Sequence, residues 1–152
     1  MIKLLYLVHV LATVVWVGGM FFAHQVLRPV AAAQLEPAVR LRLWAGVFGR
    51  FFPWVWLAVV LLLLTGQGIV YQVGGFGVVP KHVHVMAGIG YVMAAIYFYV
   101  YFVPYRRFVA AVQAEAWPTA GEVLVVIRRI IGTNLTLGLL NIALVFVLPV
   151  LM

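Results

Sequence analysis

The chain has 152 residues, 67% of them apolar and only 9% charged, with a mean hydropathy of +1.19 and a formal charge of +7. Soluble domains carry about a quarter charged residues, so this composition excludes an ordinary water-soluble domain and makes lipid the solvent of most side chains. Cysteine is absent, which excludes disulfides, thiolate metal sites and thiol catalysis and leaves His, Met and oxygen as metal donors.

A helix crosses a hydrocarbon core of about 30 Å with roughly 20 apolar residues, because every backbone polar group must be satisfied within the segment. Four stretches meet that requirement, at residues 2–25, 52–72, 83–104 and 130–151. Runs such as Leu57-Ala58-Val59-Val60-Leu61-Leu62-Leu63-Leu64 are apolar on every face and lack the alternation of a membrane β-barrel. The expected fold is all-α: one integral-membrane four-helix bundle over residues 1–152.

The first predicted helix carries His9 and, seven residues on, Trp16, which share a helix face. His24 lies on roughly the same face at the far end, with Thr13 and Met20 between, and is expected at the membrane interface. The apolar stretch is longer than the about 7–15 residues of a signal peptide core, and Arg28-Pro29 closes the helix before Ala31-Ala32-Ala33. In the following loop, Val39-Arg40-Leu41-Arg42-Leu43-Trp44 mixes aliphatic and basic residues and extends the second helix into the headgroup layer. Gly74-Gly75-Phe76-Gly77 and Pro80 then mark a tight turn.

The third helix opens with His82-Val83-His84-Val85-Met86, and Tyr91 follows His84 by seven residues. Positions i and i+2 of a helix do not share a face, so the two imidazoles and the thioether converge only if the helix begins after His82. The third loop ends in Val123-Leu124-Val125-Val126-Ile127-Arg128-Arg129, which extends the fourth helix. There, Asn134 and Asn141 are seven apart beside Thr133 and Thr136, the pattern of polar residues that join helices in membranes.

Eight of the ten basic residues (Arg28, Arg40, Arg42, Arg50, Arg106, Arg107, Arg128 and Arg129) lie in the first and third loops, and only Lys3 and Lys81 lie elsewhere. This bias places both loops in the cytoplasm and both termini on the non-cytoplasmic face. With no basic run or recognition motif, the charge implies lipid headgroups and not nucleic acid as partner. Val30-Ala31-Ala32-Ala33-Gln34-Leu35-Glu36 returns as Val109-Ala110-Ala111-Val112-Gln113-Ala114-Glu115, so the bundle reads as two repeated helical hairpins with His9 and His84 at matching places.

An ionisable side chain inside a membrane is a functional candidate by default. Two imidazoles on facing helices suit axial ligation of a haem iron, with Trp16 and Tyr91 packing near the porphyrin. The His82–His84–Met86 segment, with His9, instead suits copper, particularly Cu(I). No hydrolase or transferase motif occurs, and Glu36, Glu115 and Glu122 all fall in loops.

His9 before Val15-Trp16-Val17-Gly18-Gly19-Met20-Phe21-Phe22, then Arg28-Pro29, Leu41-Arg42-Leu43-Trp44-Ala45-Gly46-Val47-Phe48 and Pro104-Tyr105-Arg106-Arg107, together resemble small CopD-like membrane proteins. That resemblance covers nearly the whole chain and implies copper uptake across the inner membrane. More distantly, the early histidine and a histidine pair opening a later helix are similar to HemJ-type protoporphyrinogen oxidases, which implies haem b bound through His9. Where those proteins carry lysine this chain has His84, which argues against their oxidase chemistry while providing a second axial ligand.

The leading expectation is therefore a haem-b-binding electron-transfer protein with His9 and His84 as ligands near the periplasmic face, served by a redox partner or quinone. Its rivals are copper binding or transport through His9, His82, His84 and Met86, and a structural subunit without cofactor. Faces rich in Gly and Ala also permit a homo-oligomer.

Overall fold

The computed structural model describes residues 1–151 as four long helices. These are α1 (Ile2–Gln34), α2 (Pro37–Gln72), α3 (Lys81–Gln113) and α4 (Trp117–Leu151). All four are long and apolar enough to cross a membrane. Only 17–28% of the residues in the most apolar stretch of each are buried. Leu7, Leu11, Leu57, Leu64, Leu140 and Phe146 stay exposed, a surface that lipid accommodates and water does not.

The helices overrun the predicted ends. α1 was expected to stop near residue 25 and α3 near 104, ahead of or at their prolines, yet both continue for about nine residues more. A proline lacks the N–H for the i−4 carbonyl and its ring clashes there. The chain widens into π turns over Phe22–Leu27 just before Pro29 and over Tyr101–Tyr105 around Pro104, and also over Val14–Gly18, where no proline lies, while Pro53 sits inside α2 without one. The expected helical extensions at Val39–Trp44 and Val123–Arg129 are present within α2 and α4. At about 1.5 Å per residue each helix is roughly 50 Å long, so the arginine-rich ends project well past a core of about 30 Å.

The repeat has structural counterparts. Gln34 ends α1 as Gln113 ends α3, and the shift that carries Val30 onto Val109 also carries the π turn at Phe22 onto that at Tyr101. The same shift carries His9 onto Gly88 and places His84 opposite Leu5. The two histidines therefore do not occupy matching places; they are one helical turn out of register.

Short links at one end and the glycine turn at the other make the bundle alternate in direction. Gly74 and Gly75 take φ +108° and +87°, a left-handed geometry that glycine adopts without strain. At the arginine-rich end, Ala116 N–H returns to Ala111 C=O and Glu115 N–H to Val112 C=O, a Schellman closure of α3 with Glu115 at φ +53°. Arg42 pairs with Glu115 at 2.8 Å, tying the two arginine-rich links together.

Toward the turn end, α1 packs on α2 and α3 on α4; nearer the arginine-rich end α4 reaches α1 and α2. Asn134 and Asn141 donate from α4 to the Met93 and Met86 carbonyls of α3, at 3.3 and 3.2 Å, the helix-joining role expected of them. The interior there is aromatic: Phe48 stacks on Phe52 at 5.1 Å, and Tyr97 donates to the Phe52 carbonyl at 3.0 Å. Gly138 admits Met93 and Val17, each 3.0 Å from where a Cβ would stand.

Candidate functional site

His9 is half-buried against α2. Gly66 makes room for its ring, since a Cβ there would lie 3.4 Å from His9 Cε1. The Thr65 hydroxyl has a single proton and donates it to the Leu61 carbonyl one turn back. Its oxygen also lies 2.8 Å from His9 Nδ1, where it can accept from an Nδ1–H. With the proton on Nδ1, Nε2 keeps a free lone pair, the arrangement in which a metal-binding histidine is oriented by a neighbour.

His84 stands in a different setting. It is exposed at the start of α3, its Nδ1 donates to the Pro80 carbonyl at 3.3 Å, and its ring lies 5.4 Å from that of Phe76. Its Nε2 is likewise free, but its hydrogen bond turns it back to the entrance of its own helix while that of His9 turns toward α2.

Because α3 begins at Lys81, His82 is already helical. The condition for the His82–His84–Met86 trio to converge is not met, and the helix divides it. His82 and Met86, one turn apart, lie with Ile89, Met93, Ala94 and Tyr97 on the half-buried to buried stripe that faces the bundle, whereas His84, Val85, Gly88 and Tyr91 are on the exposed side. Among the described residues no three His, Asp or Glu side chains gather as a metal group; what shares a face is an imidazole and a thioether.

The aromatic partners also separate. Trp16 is buried, edge-on to Tyr97 at 6.2 Å, while Tyr91 is exposed and accepts a hydrogen bond from Gln67 of α2. The Trp16–Tyr97 contact fixes the relative height of α1 and α3. His9 lies seven residues before Trp16, and Gly90 seven before Tyr97, so His9 is level with Gly90, between Met86 and Met93. Counted inward along α3 at about 1.5 Å per residue, His82, Met86, the His9 level and Met93 follow at roughly 5 Å steps.

Below Met93 the interior closes. A cavity of about 20 Å³, lined by Trp16, Met20, Phe52, Tyr97 and Asn134 among others, has room for about one water. Met93 went unremarked in the sequence, although it follows Met86 by seven residues, the spacing that keeps both on one face.

The family model described as CopD, copper resistance protein D, matches residues 45–148. The chain belongs to the CopD family. The matched stretch contains His82, His84, Met86 and Met93 and leaves His9 outside it. No curated protein and no solved structure matches the chain.

Proposed function

We propose that this CopD-family protein binds copper, as Cu(I), at the turn end of the bundle and handles it as cargo, with His82 and Met86 as the first interior ligands and His9 and Met93 beyond them. The observation that carries this reading is the His82–Met86 pair, one helical turn apart on the bundle-facing stripe of α3. An imidazole and a thioether are donors suited to Cu(I), and the family is named for copper resistance. His9 contributes an Nε2 whose tautomer Thr65 maintains. Exposed His84 stands at the mouth. In a bacterial inner membrane the arginine-rich links face the cytoplasm by the positive-inside rule, which puts this copper-binding end at the periplasmic face.

The haem expectation required His9 and His84 to share one iron with Trp16 and Tyr91 against the ring. Their hydrogen bonds direct the two imidazoles to separate neighbours, and the two aromatics lie on opposite sides, one buried and one exposed. Neither arrangement favours haem over copper.

The test is competition for Cu(I) between the detergent-purified protein and a chromogenic chelator. Met86→Leu, which keeps volume and apolarity, and His82→Ala are each expected to weaken binding by about tenfold or more, with a smaller effect from His84→Ala. Parental affinity in both Met86→Leu and His82→Ala refutes the site. A Soret band in the purified protein that His9→Ala abolishes puts the haem reading in its place.

A further inference from the structure

At the opposite end of the bundle, far from the copper donors, basic side chains gather without a counter-charge. Arg42–Glu115 is the one ion pair among the described residues, so Arg28, Arg40 and Arg128 have no carboxylate partner. Arg28 Nη1 lies 3.5 Å from His24 Nε2, one turn back on α1, and Arg40 reaches from α2 to the Ala32 carbonyl of α1 at 3.4 Å. Arg128 of α4 lies over the Trp44 ring at 5.4 Å. Gly132, one turn along α4, lets that helix approach His24, since a Cβ there would meet Nε2 at 2.9 Å.

Like charges gathered beside an open groove favour an anion there. An open groove runs along α1 there, lined by His24, Gln25, Arg28, Pro29 and Ala32, and Arg40 reaches its edge at the Ala32 carbonyl. Donors without acceptors are present too, because Arg128 Nε and Nη2 are buried with no hydrogen-bond partner in the protein. Each such group costs about 1–3 kcal/mol unless something accepts from it. Guanidinium forks match the geometry of phosphate oxygens, and the helix lengths place this cluster at headgroup depth, where basic pockets between helices bind anionic headgroups.

We propose that the groove at the arginine-rich end is a binding site for a phosphate-bearing anion, held by Arg28, Arg128 and His24 with Arg40 at its rim. The indole of Trp44 lies against the Arg128 guanidinium. This site is independent of copper: it shares no residue with the copper donors and stands whether or not that reading does.

The test is the thermal unfolding midpoint of the full chain in zwitterionic detergent, titrated separately with short-chain phosphatidylglycerol, short-chain phosphatidylcholine and inorganic phosphate. Phosphatidylglycerol is expected to raise the midpoint saturably and phosphatidylcholine to leave it in place. Arg28→Gln and Arg128→Gln should each raise the half-saturating concentration about tenfold, the loss of a charge-assisted hydrogen bond, while Arg107→Gln, an exposed arginine on α3 outside the cluster, leaves it within about twofold. Should Arg128→Gln fail to fold, exposed Arg28→Gln decides alone. A matching shift with inorganic phosphate identifies a soluble phosphate as a sufficient ligand; a shift with phosphatidylglycerol only identifies the lipid headgroup. The proposal is overturned if neither anion moves the midpoint, or if Arg107→Gln weakens the effect as much as Arg28→Gln does.

Discussion

Replacing Thr65 with Val keeps the side-chain shape and removes the one hydroxyl that both donates to the Leu61 carbonyl and accepts from His9 Nδ1–H. Thr65 is only 5% exposed, so no water takes its place. In a membrane such a hydrogen bond contributes about 0.6 kcal/mol and at most about 1.7, which leaves the bundle folded. The consequence for copper is larger, because a ligating imidazole that loses the partner fixing its tautomer and ring orientation costs about 10- to 100-fold in metal affinity. Chelator competition with Cu(I) measures this directly, and a thermal unfolding curve of the same sample separates it from destabilisation. Thr65→Ser, which retains the hydroxyl, should keep the parental affinity. If Thr65→Val binds Cu(I) as tightly as the parent while His9→Ala does not, the tautomer argument is refuted.

Gly138→Val forces a branched side chain against Met93 and Val17, whose atoms already stand 3.0 Å from the Cβ position. It should destabilise the detergent-solubilised bundle by about 1–3 kcal/mol, and Val17→Ala in the same chain should recover part of the loss. Asn141→Leu removes the donor to the Met86 carbonyl and should lower stability by about 0.6 kcal/mol, at most about 1.7; a loss beyond 3 kcal/mol by reversible unfolding contradicts a packing role. A topology reporter near Glu115 should read cytoplasmic and one in the Gly74–Gly77 turn periplasmic; the reverse pattern would invert the orientation assigned from the arginines.

Local chemistry explains why much of the fold was readable from the chain. Apolar runs at Leu57–Leu64 and elsewhere required helices in lipid, paired glycines at 74 and 75 required the turn, and Asn134 and Asn141 at heptad spacing required a partner helix. Helix ends were less readable because proline ordinarily stops a regular helix, whereas Pro29, Pro53 and Pro104 all lie within long helices here. The family resemblance in Val15–Phe22, Leu41–Phe48 and Pro104–Arg107 pointed to the same family as the match over residues 45–148.

The sequence by itself determined the solvent, the helix count and the inventory of donors, because hydropathy, helix period and residue chemistry are local properties. Only the tertiary structure decided which donors share a face. The start of α3 at Lys81 put His82 and Met86 toward the bundle and His84 outward, a choice that a shift of one or two residues in the helix start alters by about 100° per residue. The hydrogen-bond partner of His9 Nδ1 is Thr65, 56 residues away, and the unpaired cluster of Arg28, Arg40 and Arg128 arises from three helices converging at one end. Such pairings depend on rotation and height of packed helices, which composition and spacing along one chain do not encode.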